Sequence, residues 1–575
     1  MQLVPIRMRR VQGGYLITNF VTYPCRIKHE SYGVDMFLIL MKKLVYTLIL
    51  SVAASCTQRA AVEADYNVVP LPRTMLASSG GDFRLTPSTC LVITDSTQFV
   101  NAELFAGYVE TLTGFRPAII SEAPSKGYIR LSASNCNATH EGYRITVSSD
   151  SIVVDGADAA GTFYGLQTLR KAIRGGKGAD VLYPAVMIED APRFAYRGAH
   201  LDCVRHFFPV DSVKLYIDML ALHNINHFHW HLTDDQGWRM EIKSRPRLTE
   251  IGSVRSGTII GTSEKYDSIP YGGCFTQTEM RDIVAYAADR HITVIPEIDL
   301  PGHMVAALTS YPSLGCTGGP YEVMRRWGVS DDILCAGNKD VYVFLDEILD
   351  EVTDIFPSEY VHIGGDEVPH GKWKKCPLCQ TKIRELGLRG DAHSTAEQKL
   401  QNHIMKYAAD RLAAKGRRVI GWDEIIDNGF DTTAIVMSWR GPQDGGQDGA
   451  TRGYHVIKVP NTHLYFDYQY AEGDTIGAPY WRKIPLDSVY AYRPVPEYYT
   501  PEQAANVIGV QGNVWTEFIP SFREVQYMAL PRMAALAELQ WCNAPKDFDA
   551  FIGRLKCLLP LYEAEGYCYR PFEIK

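Results

Sequence analysis

Eight short apolar runs recur after Pro192, and each is followed by turn residues and a helical pattern. The runs lie at 196–203, 227–234, 292–300, 360–367, 418–425, 434–441, 455–467 and 507–517. Amphipathic segments such as 210–225 and 395–416 separate them. Eight strand–helix units close a parallel barrel, so the pattern predicts an α/β fold of the (β/α)8 TIM-barrel type. An open doubly wound sheet is the alternative, but it needs a glycine-rich phosphate turn, and none follows Cys203.

The region before the barrel has a different pattern. Alternating strand-like segments at 143–149 and 151–156 accompany one helical segment at 159–173, which predicts a small α+β domain. We therefore divide the chain into a leader at 1–56, an α+β domain at 57–190, a barrel at 191–545 and a helical tail packed on the barrel at 546–575.

The leader contains an export signal. Residues 41–56 read MKKLVYTLILSVAASC, with two lysines, a short apolar core and small residues before Cys56. The apolar core is too short to span a membrane. The segment resembles a bacterial lipoprotein signal with Met41 as the natural start, although Ala53 departs from the pattern and leaves simple cleavage open. We expect an exported protein of the cell envelope, periplasm or outer membrane, which contacts membrane only through a lipid at Cys56.

The net charge and the number of cysteines bear on which classes of partner and cross-link the protein could have. The net charge of −8 and the lack of a long basic run argue against nucleic acid as a partner. The 13 cysteines are spread thinly, which does not indicate a disulfide framework. Cys376 and Cys379 form one C-x-x-C pair that fits a zinc ligand pair or a local disulfide, and we assign it no function.

The predicted strands end in polar and aromatic side chains. The C-terminal ends of barrel strands form the active site, so these side chains should converge. A tryptophan there is more often a core lid and a lone aspartate more often a helix cap. Several indoles that meet carboxylates at one barrel mouth instead favour a pocket for a sugar ring. The residues at these ends are Asp202, Arg205, Asp234, Asp235, His303, Asp366, Glu367, Trp422, Asp423, Glu424, Trp439, Arg440, Tyr465, Asp467, Trp515 and Glu517.

Three histidines share one face of a predicted strand. His227, His229 and His231 alternate with apolar residues and could bind a metal, as in a barrel metallohydrolase. Such an enzyme would also place histidines after later strands, and the fifth and sixth runs end in GWDE and SWRG. We therefore favour core or hydrogen-bonded histidines, and expect neither a metal nor an organic cofactor.

Seven motifs together resemble glycoside hydrolase family 20, the β-N-acetylhexosaminidases. The resemblance runs from the α+β domain to the segment 529–541. The motifs are YRGAHLDCVRHFF (196–208), FHWHLTDDQGWR (228–239), PEIDLPGH (296–303), HIGGDEVPHGKW (362–373), GWDEI (421–425), HLYFDYQY (463–470) and GVQGNVWTE (509–517).

The resemblance implies a retaining, substrate-assisted mechanism. Most retaining glycosidases place two carboxyl groups on opposite sides of the scissile bond, whereas this family uses the 2-acetamido oxygen of the substrate as the nucleophile. Asp366 would stabilise the acetamido nitrogen, and Glu367 would protonate the leaving oxygen and later activate water. An ionised Asp366 would favour the protonated form of Glu367.

The resemblance also implies roles for other residues. Tyr465 would donate to the acetamido oxygen, and Arg197 and Glu517 would hold hydroxyls at the closed, non-reducing end. Asp467 would orient the sugar, and Asp234 with His303 would support the catalytic acid. The expected aromatic contacts are Trp422, Trp439 and Trp515 around the sugar, and Trp481 on the leaving-group side.

The expected function is exo-acting removal of terminal GlcNAc or GalNAc from glycans. The alternative from another class is a catalytically inactive glycan-binding lipoprotein that keeps the pocket. Intact Asp366, Glu367 and Tyr465 argue against that alternative.

Overall fold

The computed structural model describes residues 59–134, 139–174, 176–427, 429–441, 445–480 and 482–572. The export signal with Cys56 and the predicted contact residue Trp481 lie outside these residues, and both stay sequence predictions. Among the helices that the structure describes, none combines the length and the apolar character needed to cross a bilayer.

The N-terminal domain is the predicted α+β unit. Its strands are β1 (Ala61–Glu63), β2 (Thr74–Ala77), β3 (Phe83–Leu85), β4 (Cys90–Ile93), β5 (Ala118–Ile120), β6 (Tyr128–Ser132), β7 (Tyr143–Val147), β8 (Ser151–Gly156), β9 (Asp180–Tyr183) and β10 (Val186–Asp190). Seven of them form a mixed sheet in the order β2-β10-β7-β8-β6-β4-β5, and β1-β9-β3 form a second sheet. The helices are α1 (Phe99–Thr113) and α2 (Ala159–Ala172), with a 3-10 turn at Ser96–Gln98.

Helix α2 joins this domain to the barrel. It begins at Asp158, whose carboxylate accepts the backbone N–H of Gly161 at 2.8 Å. Nearly all of its side chains are buried, because the sheet covers one side and barrel residues cover another. Lys171, for example, donates to the backbone oxygen of Leu222 at 3.3 Å.

The eight predicted strands close into a parallel barrel. They are β11 (Tyr196–Asp202), β12 (His227–His231), β17 (Thr293–Glu297), β18 (Tyr360–His362), β19 (Arg418–Trp422), β20 (Ile435–Ser438), β21 (His455–Lys458) and β22 (Val507–Val514). Two small hairpins lie between them, β13 (Thr233–Asp234) with β14 (Gly237–Trp238) and β15 (Val254–Arg255) with β16 (Tyr271–Gly272). Strand β22 pairs with β11 in parallel, which closes the ring and excludes the doubly wound sheet.

Helices surround the barrel as the sequence pattern predicts. They are α3 (Val210–Leu222), α4 (Arg247–Glu250), α5 (Gln277–Ala288), α6 (Val305–Ser310), α7 (Lys339–Ile355), α8 (Gly371–Lys375), α9 (Pro377–Glu385), α10 (Ala396–Ala413), α11 (Glu424–Asp427), α12 (Gly445–Thr451), α13 (Leu486–Ala491), α14 (Pro501–Asn506), α15 (Phe522–Ala529), α16 (Arg532–Trp541) and α17 (Phe548–Ala564), with a 3-10 turn at Pro312–Leu314. Helix α17 forms the tail, where Arg554 pairs with Glu538 of α16 at 3.0 Å. The tail therefore packs on the barrel.

Several strands end earlier than their apolar runs. The run 360–367 contains β18 only as far as His362, because Gly364 and Gly365 turn the backbone to φ values of 65° and 98°. The polar half of that run becomes a loop at the barrel mouth. Early strand ends are what allow Asp366 and Glu367 to leave the barrel wall.

Arg197 is not a pocket residue, which corrects the role expected for it. It lies at the start of β11, the end of the barrel opposite the catalytic face, and is fully buried. Its guanidinium contacts Glu141 at 2.6 Å, the Tyr164 hydroxyl at 2.9 Å and the backbone oxygen of Asn224 at 2.8 Å. Arg197 therefore connects the N-terminal domain to the barrel.

We expect Arg197→Met to lower the free energy of unfolding by about 3–5 kcal/mol, because it leaves Glu141 buried without its cation. Arg144→Met is the matched control, since Arg144 pairs with Glu189 while both side chains are nearly half exposed. Its loss should cost less than about 1 kcal/mol. Urea denaturation measures both values, and equal losses would contradict the structural role of Arg197.

Candidate active site

A cavity opens at the C-terminal ends of the barrel strands. Its volume is about 270 Å³, just below the range typical of pockets for drug-sized ligands, so it suits one small ring. Of the residues that the family resemblance gave a role, Arg197 does not line this cavity, Trp481 lies outside the described residues, and all the others line it. The lining residues are Arg205, Asp234, Asp299, His303, Trp327, Gly328, Val329, Asp366, Glu367, Trp422, Trp439, Tyr465, Asp467, Tyr468, Tyr480, Trp515 and Glu517.

The turn after β18 explains the two glycines before the acidic pair. A Cβ atom on Gly364 would overlap the carboxylate of Asp299, so only glycine lets the loop after β17 approach this closely. Gly364, Gly365 and Glu367 all have positive φ, with Glu367 at 49°. Left-handed backbone is costly for a residue with a side chain, and such strain is common at functional sites.

Asp366 and Glu367 approach the same histidine. The Nε2 atom of His303 lies 3.7 Å from a carboxylate oxygen of Asp366 and 3.8 Å from one of Glu367. His303 is buried, whereas the side chain of Glu367 is 42% exposed toward the mouth. The two adjacent carboxyl groups therefore share one side of the cavity.

Three acidic groups of the cavity, Asp299, Asp366 and Glu367, have raised pKa values. Burial raises the pKa of Glu367, and the charge of Asp366 raises it further. Burial also raises the pKa of Asp366, although the His303 cation opposes that rise. The pKa of Asp299 is well above its usual range because of burial and the nearby Asp366. The pKa rise is larger for Asp299 than for Asp366, so the two adjoining carboxyl groups differ in how tightly they hold a proton.

His303 is held in its charged form. Burial lowers its pKa, but Asp234 and Asp299 outweigh burial, and the pKa rises well above the usual value. The Nδ1 atom of His303 lies 3.1 Å from Asp234. Asp234 in turn contacts Nε2 of His231 at 2.8 Å, and Nδ1 of His231 is hydrogen-bonded to Glu297. A continuous polar chain therefore runs from the barrel core to the acidic pair.

Arg205 occupies the place in the pocket that was expected for Arg197. Its guanidinium lies 2.9 Å from Asp234 and 3.9 Å from Glu517. Arg205 lies at the end of the first predicted run. The family resemblance assigned the binding of sugar hydroxyls to Arg197, which lies at the start of the same run. The rule that barrel sites form at strand ends favours Arg205.

Aromatic side chains wall the cavity. The rings of Trp439 and Tyr465 are stacked with centroids 6.3 Å apart, and Trp422 and Trp515 lie 5.9 Å apart. The indole N–H groups of Trp422 and Trp439 donate to Glu297 at 2.9 Å and to Glu424 at 3.1 Å. These bonds fix both rings and leave their faces for the apolar surface of a ligand.

Two further carboxyl groups, those of Asp467 and Glu517, line the cavity. Burial raises the pKa of Asp467 well above its usual range, and Glu517 raises it further. Burial likewise raises the pKa of Glu517. Among the residues that the structure describes, the buried oxygen Oδ1 of Asp467 has no hydrogen-bond partner, as is also true of Oδ1 of Asp366. Unpaired buried oxygens are costly, so both are positioned to accept a donor from a ligand.

Sequence reasoning missed several pocket residues. Asp299 follows β17 inside the PEIDLPGH motif, so the strand-end rule could have found it. Trp327, Tyr468 and Tyr480 come from loops without such a signal.

The histidines that suggested a metal are hydrogen-bonded to core residues. His229 lies 3.1 Å from Glu297, and His227 is bonded to Asn226 at 2.6 Å. Their side chains lie beneath the cavity and do not line it.

A barrel-mouth pocket with carboxyl groups on one side and fixed aromatic rings around them defines a glycosidase of the TIM-barrel class. Comparison of the sequence with models of protein families identifies the glycosidase family. The catalytic domain of glycosyl hydrolase family 20 matches residues 194–544, and domain 2 of that family matches residues 65–191. The chain therefore belongs to glycosyl hydrolase family 20.

Relatives agree with this assignment. A β-hexosaminidase of Porphyromonas gingivalis is 38% identical over 535 residues, which cover 90% of this chain and 67% of the relative. A β-N-acetylhexosaminidase of Cellulomonas fimi is 32% identical over 88% of this chain and 95% of its own length. The crystal structure of an exo-β-N-acetylglucosaminidase from Vibrio harveyi with N-acetylglucosamine superimposes with a TM-score of 0.78 at 32% identity, covering 90% of this chain and 80% of that one.

We expect Gly364→Ala to reduce both activity and stability, the latter by more than about 1 kcal/mol, because a Cβ atom adds left-handed strain and overlaps Asp299. Gly371→Ala is the control, at the start of helix α8, where a Cβ atom would meet open space. Urea denaturation and hydrolysis of an aryl β-GlcNAc glycoside measure the two effects. Equal behaviour of the two variants would show that the close approach is unimportant.

Proposed function

We propose that the protein is an exo-acting β-N-acetylhexosaminidase that hydrolyses terminal, non-reducing GlcNAc or GalNAc residues of glycans with retention of configuration. Family membership and the named relatives support the activity. The observation that carries the mechanism is the approach of Asp366 and Glu367 to one nitrogen of His303.

Asp366 and Glu367 lie on one side of the cavity, next to the same nitrogen of His303. A retaining enzyme with a protein nucleophile needs its two carboxyl groups across the bond from each other, about 5–5.5 Å apart. Adjacent groups that share one histidine do not straddle a sugar carbon. The acetamido oxygen of the substrate is therefore the nucleophile, and an oxazolinium ion forms as the glycosidic bond breaks.

Asp366 supports the nucleophile. Its unpaired oxygen accepts the acetamido N–H and stabilises the positive charge that develops on that nitrogen. The His303 cation beside it opposes the rise that burial causes in the pKa of Asp366. Tyr465 lines the same cavity beside Trp439 and donates its hydroxyl to the acetamido oxygen.

Glu367 is the acid and later the base. Its raised pKa keeps it protonated until it gives the proton to the leaving oxygen. The partly exposed side chain then takes a proton from the water that opens the oxazolinium ion. Glu367 serves in both steps because it is deprotonated once it has protonated the leaving oxygen. Its carboxylate can then act as the base in the second step.

The closed end of the pocket makes the enzyme exo-acting. Arg205, Glu517 and Asp467 supply charged and polar groups for the hydroxyls of one terminal sugar. The small cavity volume leaves room for one ring there, so the chain must enter with its non-reducing end.

Substrates that lack the acetamido group test the nucleophile. We expect a nitrophenyl β-GlcNAc glycoside to turn over at least about 10³-fold faster than the matching β-glucoside, because only the first can form an oxazolinium ion. A thiazoline analogue of that ion should bind more tightly than GlcNAc. Release of nitrophenol and competitive inhibition measure the two expectations.

Comparable rates on the two glycosides would contradict the substrate-assisted mechanism. Binding of GlcNAc without turnover of any glycoside would instead support the inactive glycan-binding alternative. The Glu367→Gln variant shows what that outcome looks like, because it should bind sugar without hydrolysing it.

The charge of Asp366 should set the pH profile. Asp366 raises the pKa of Glu367, so Asp366→Asn should lower that pKa and shift the alkaline limb of kcat/KM for a disaccharide to lower pH. The same change should reduce kcat about 10²–10³-fold, because it removes the charge beside the acetamido nitrogen. Asp410→Asn, at an exposed pair with Lys406, is the control. An alkaline limb that stays in place would contradict the coupling.

A further inference from the structure

Four cysteines from distant parts of the sequence meet beside the active site. The sulfur atoms of Cys316, Cys335, Cys376 and Cys379 all lie within 4.8 Å of one another. Cys335 lies 3.6 Å from both Cys376 and Cys379, and Cys316 lies 3.8 Å from Cys379. Three of the four are buried and Cys316 is partly exposed. Only the C-x-x-C pair is recognisable in the sequence, because Cys316 and Cys335 lie far from it in the chain.

The separations fit one metal ion and not disulfides. A disulfide needs sulfur atoms about 2.05 Å apart, and each of these thiols has more than one sulfur neighbour. Four thiolates that surround zinc in a tetrahedron at about 2.3 Å lie about 3.8 Å from one another. The observed 3.6–3.8 Å distances match the edges of that tetrahedron.

The surrounding backbone is built for thiolate ligands. Helix α9 begins directly after Cys376 and carries Cys379 in its first turn, where the helix dipole favours negative charge. A Cβ atom on Gly337 would overlap the backbone of Leu378, so glycine lets the Cys335 segment lie against α9. The backbone N–H of Gly337 points at the thiols of Cys335 and Cys379.

We propose that Cys316, Cys335, Cys376 and Cys379 bind one structural zinc ion as a tetrathiolate. Binding releases the four thiol protons and transfers no electrons. Zinc is the ion of choice because it has no redox chemistry and prefers four sulfur ligands in tetrahedral sites. The partly exposed Cys316 supplies the path by which the ion enters. The proposal adds a metal to a protein for which the sequence predicted none.

The ion would join two loops of the active site. Cys316 and Cys335 flank residues 317–334, a loop that contributes Trp327 to the pocket wall. Cys376 and Cys379 follow the loop that carries Glu367. The indole of Trp373 already links these segments by donating to the backbone oxygen of Leu334 at 2.8 Å. The zinc site would therefore fix the pocket wall relative to the catalytic acid.

Metal analysis of the full chain tests the proposal. Protein purified without added metal or chelator should contain about one zinc per chain by inductively coupled plasma mass spectrometry. Cobalt exchanged into the same protein should give the intense thiolate charge-transfer and visible bands of a tetrahedral tetrathiolate. Both readouts use the unaltered protein and are independent of glycosidase activity.

Variants locate the ion. Cys376→Ser combined with Cys379→Ser should lower zinc to below about 0.1 per chain, whereas Cys557→Ser, at a cysteine outside the cluster, should keep the full content. If the double variant fails to fold, the cobalt spectrum of the unaltered protein still shows whether a tetrahedral tetrathiolate site is present. Two disulfides by mass, four freely alkylated thiols in the native protein, or stoichiometric iron in place of zinc would each overturn the proposal.

Discussion

The active site is organised around one buried carboxylate, Glu297 at the end of β17. Its carboxylate accepts the indole N–H of Trp422 at 2.9 Å and is hydrogen-bonded to His231, and it lies 2.9 Å from Nδ1 of His362 and 3.1 Å from Nε2 of His229. Burial works against its charge, but the neighbouring histidines outweigh burial and hold its pKa well below the usual value. These partners come from the three strands β12, β18 and β19, so a single anion fixes the floor on which the pocket stands. A buried charge of this kind is tolerated only when every partner is in place.

Charge alternates outward from Glu297 to the pocket. His231 follows with its pKa raised to about 10, since its carboxylate partners outweigh its burial. Asp234 follows as an anion with its pKa well below the usual value, where Arg205 and His303 outweigh its burial. His303 then faces Asp366 and Glu367 as a cation. Each charge is stabilised by the next, and the series ends at Glu367, whose pKa is raised by burial and by the charge of Asp366.

The sequence predicted the fold and most of the site, and its failures have physical reasons. Hydrophobic periodicity located all eight barrel strands, because parallel strands buried on both faces are continuous apolar runs. The pocket role of Arg197 came from the family resemblance, whereas the strand-end rule favours Arg205, because Arg197 lies at the start of β11 and Arg205 follows its end. Glu297 was quoted inside a motif and passed over, since its importance depends on partners from other strands. The cysteine cluster was invisible because loop closure brings together residues whose spacing in the chain carries no signal.

The strained backbone at the catalytic loops explains why a clamp beside them would be useful. His303 and Glu367 both adopt left-handed backbone, at φ values of 52° and 49°, and both lie in loops that follow short strands. Such conformations persist only where the surroundings determine them, and catalytic groups need placement within about 0.5 Å. Loops are the more mobile parts of a barrel, so burial alone is weak support there. A tetrathiolate zinc ion would add fixed bonds between the segments that follow His303 and Glu367, at a distance from the sugar. The position of Glu367 would then depend on the geometry of the zinc site. In the same way, the positions of the side chains beneath the pocket depend on Glu297.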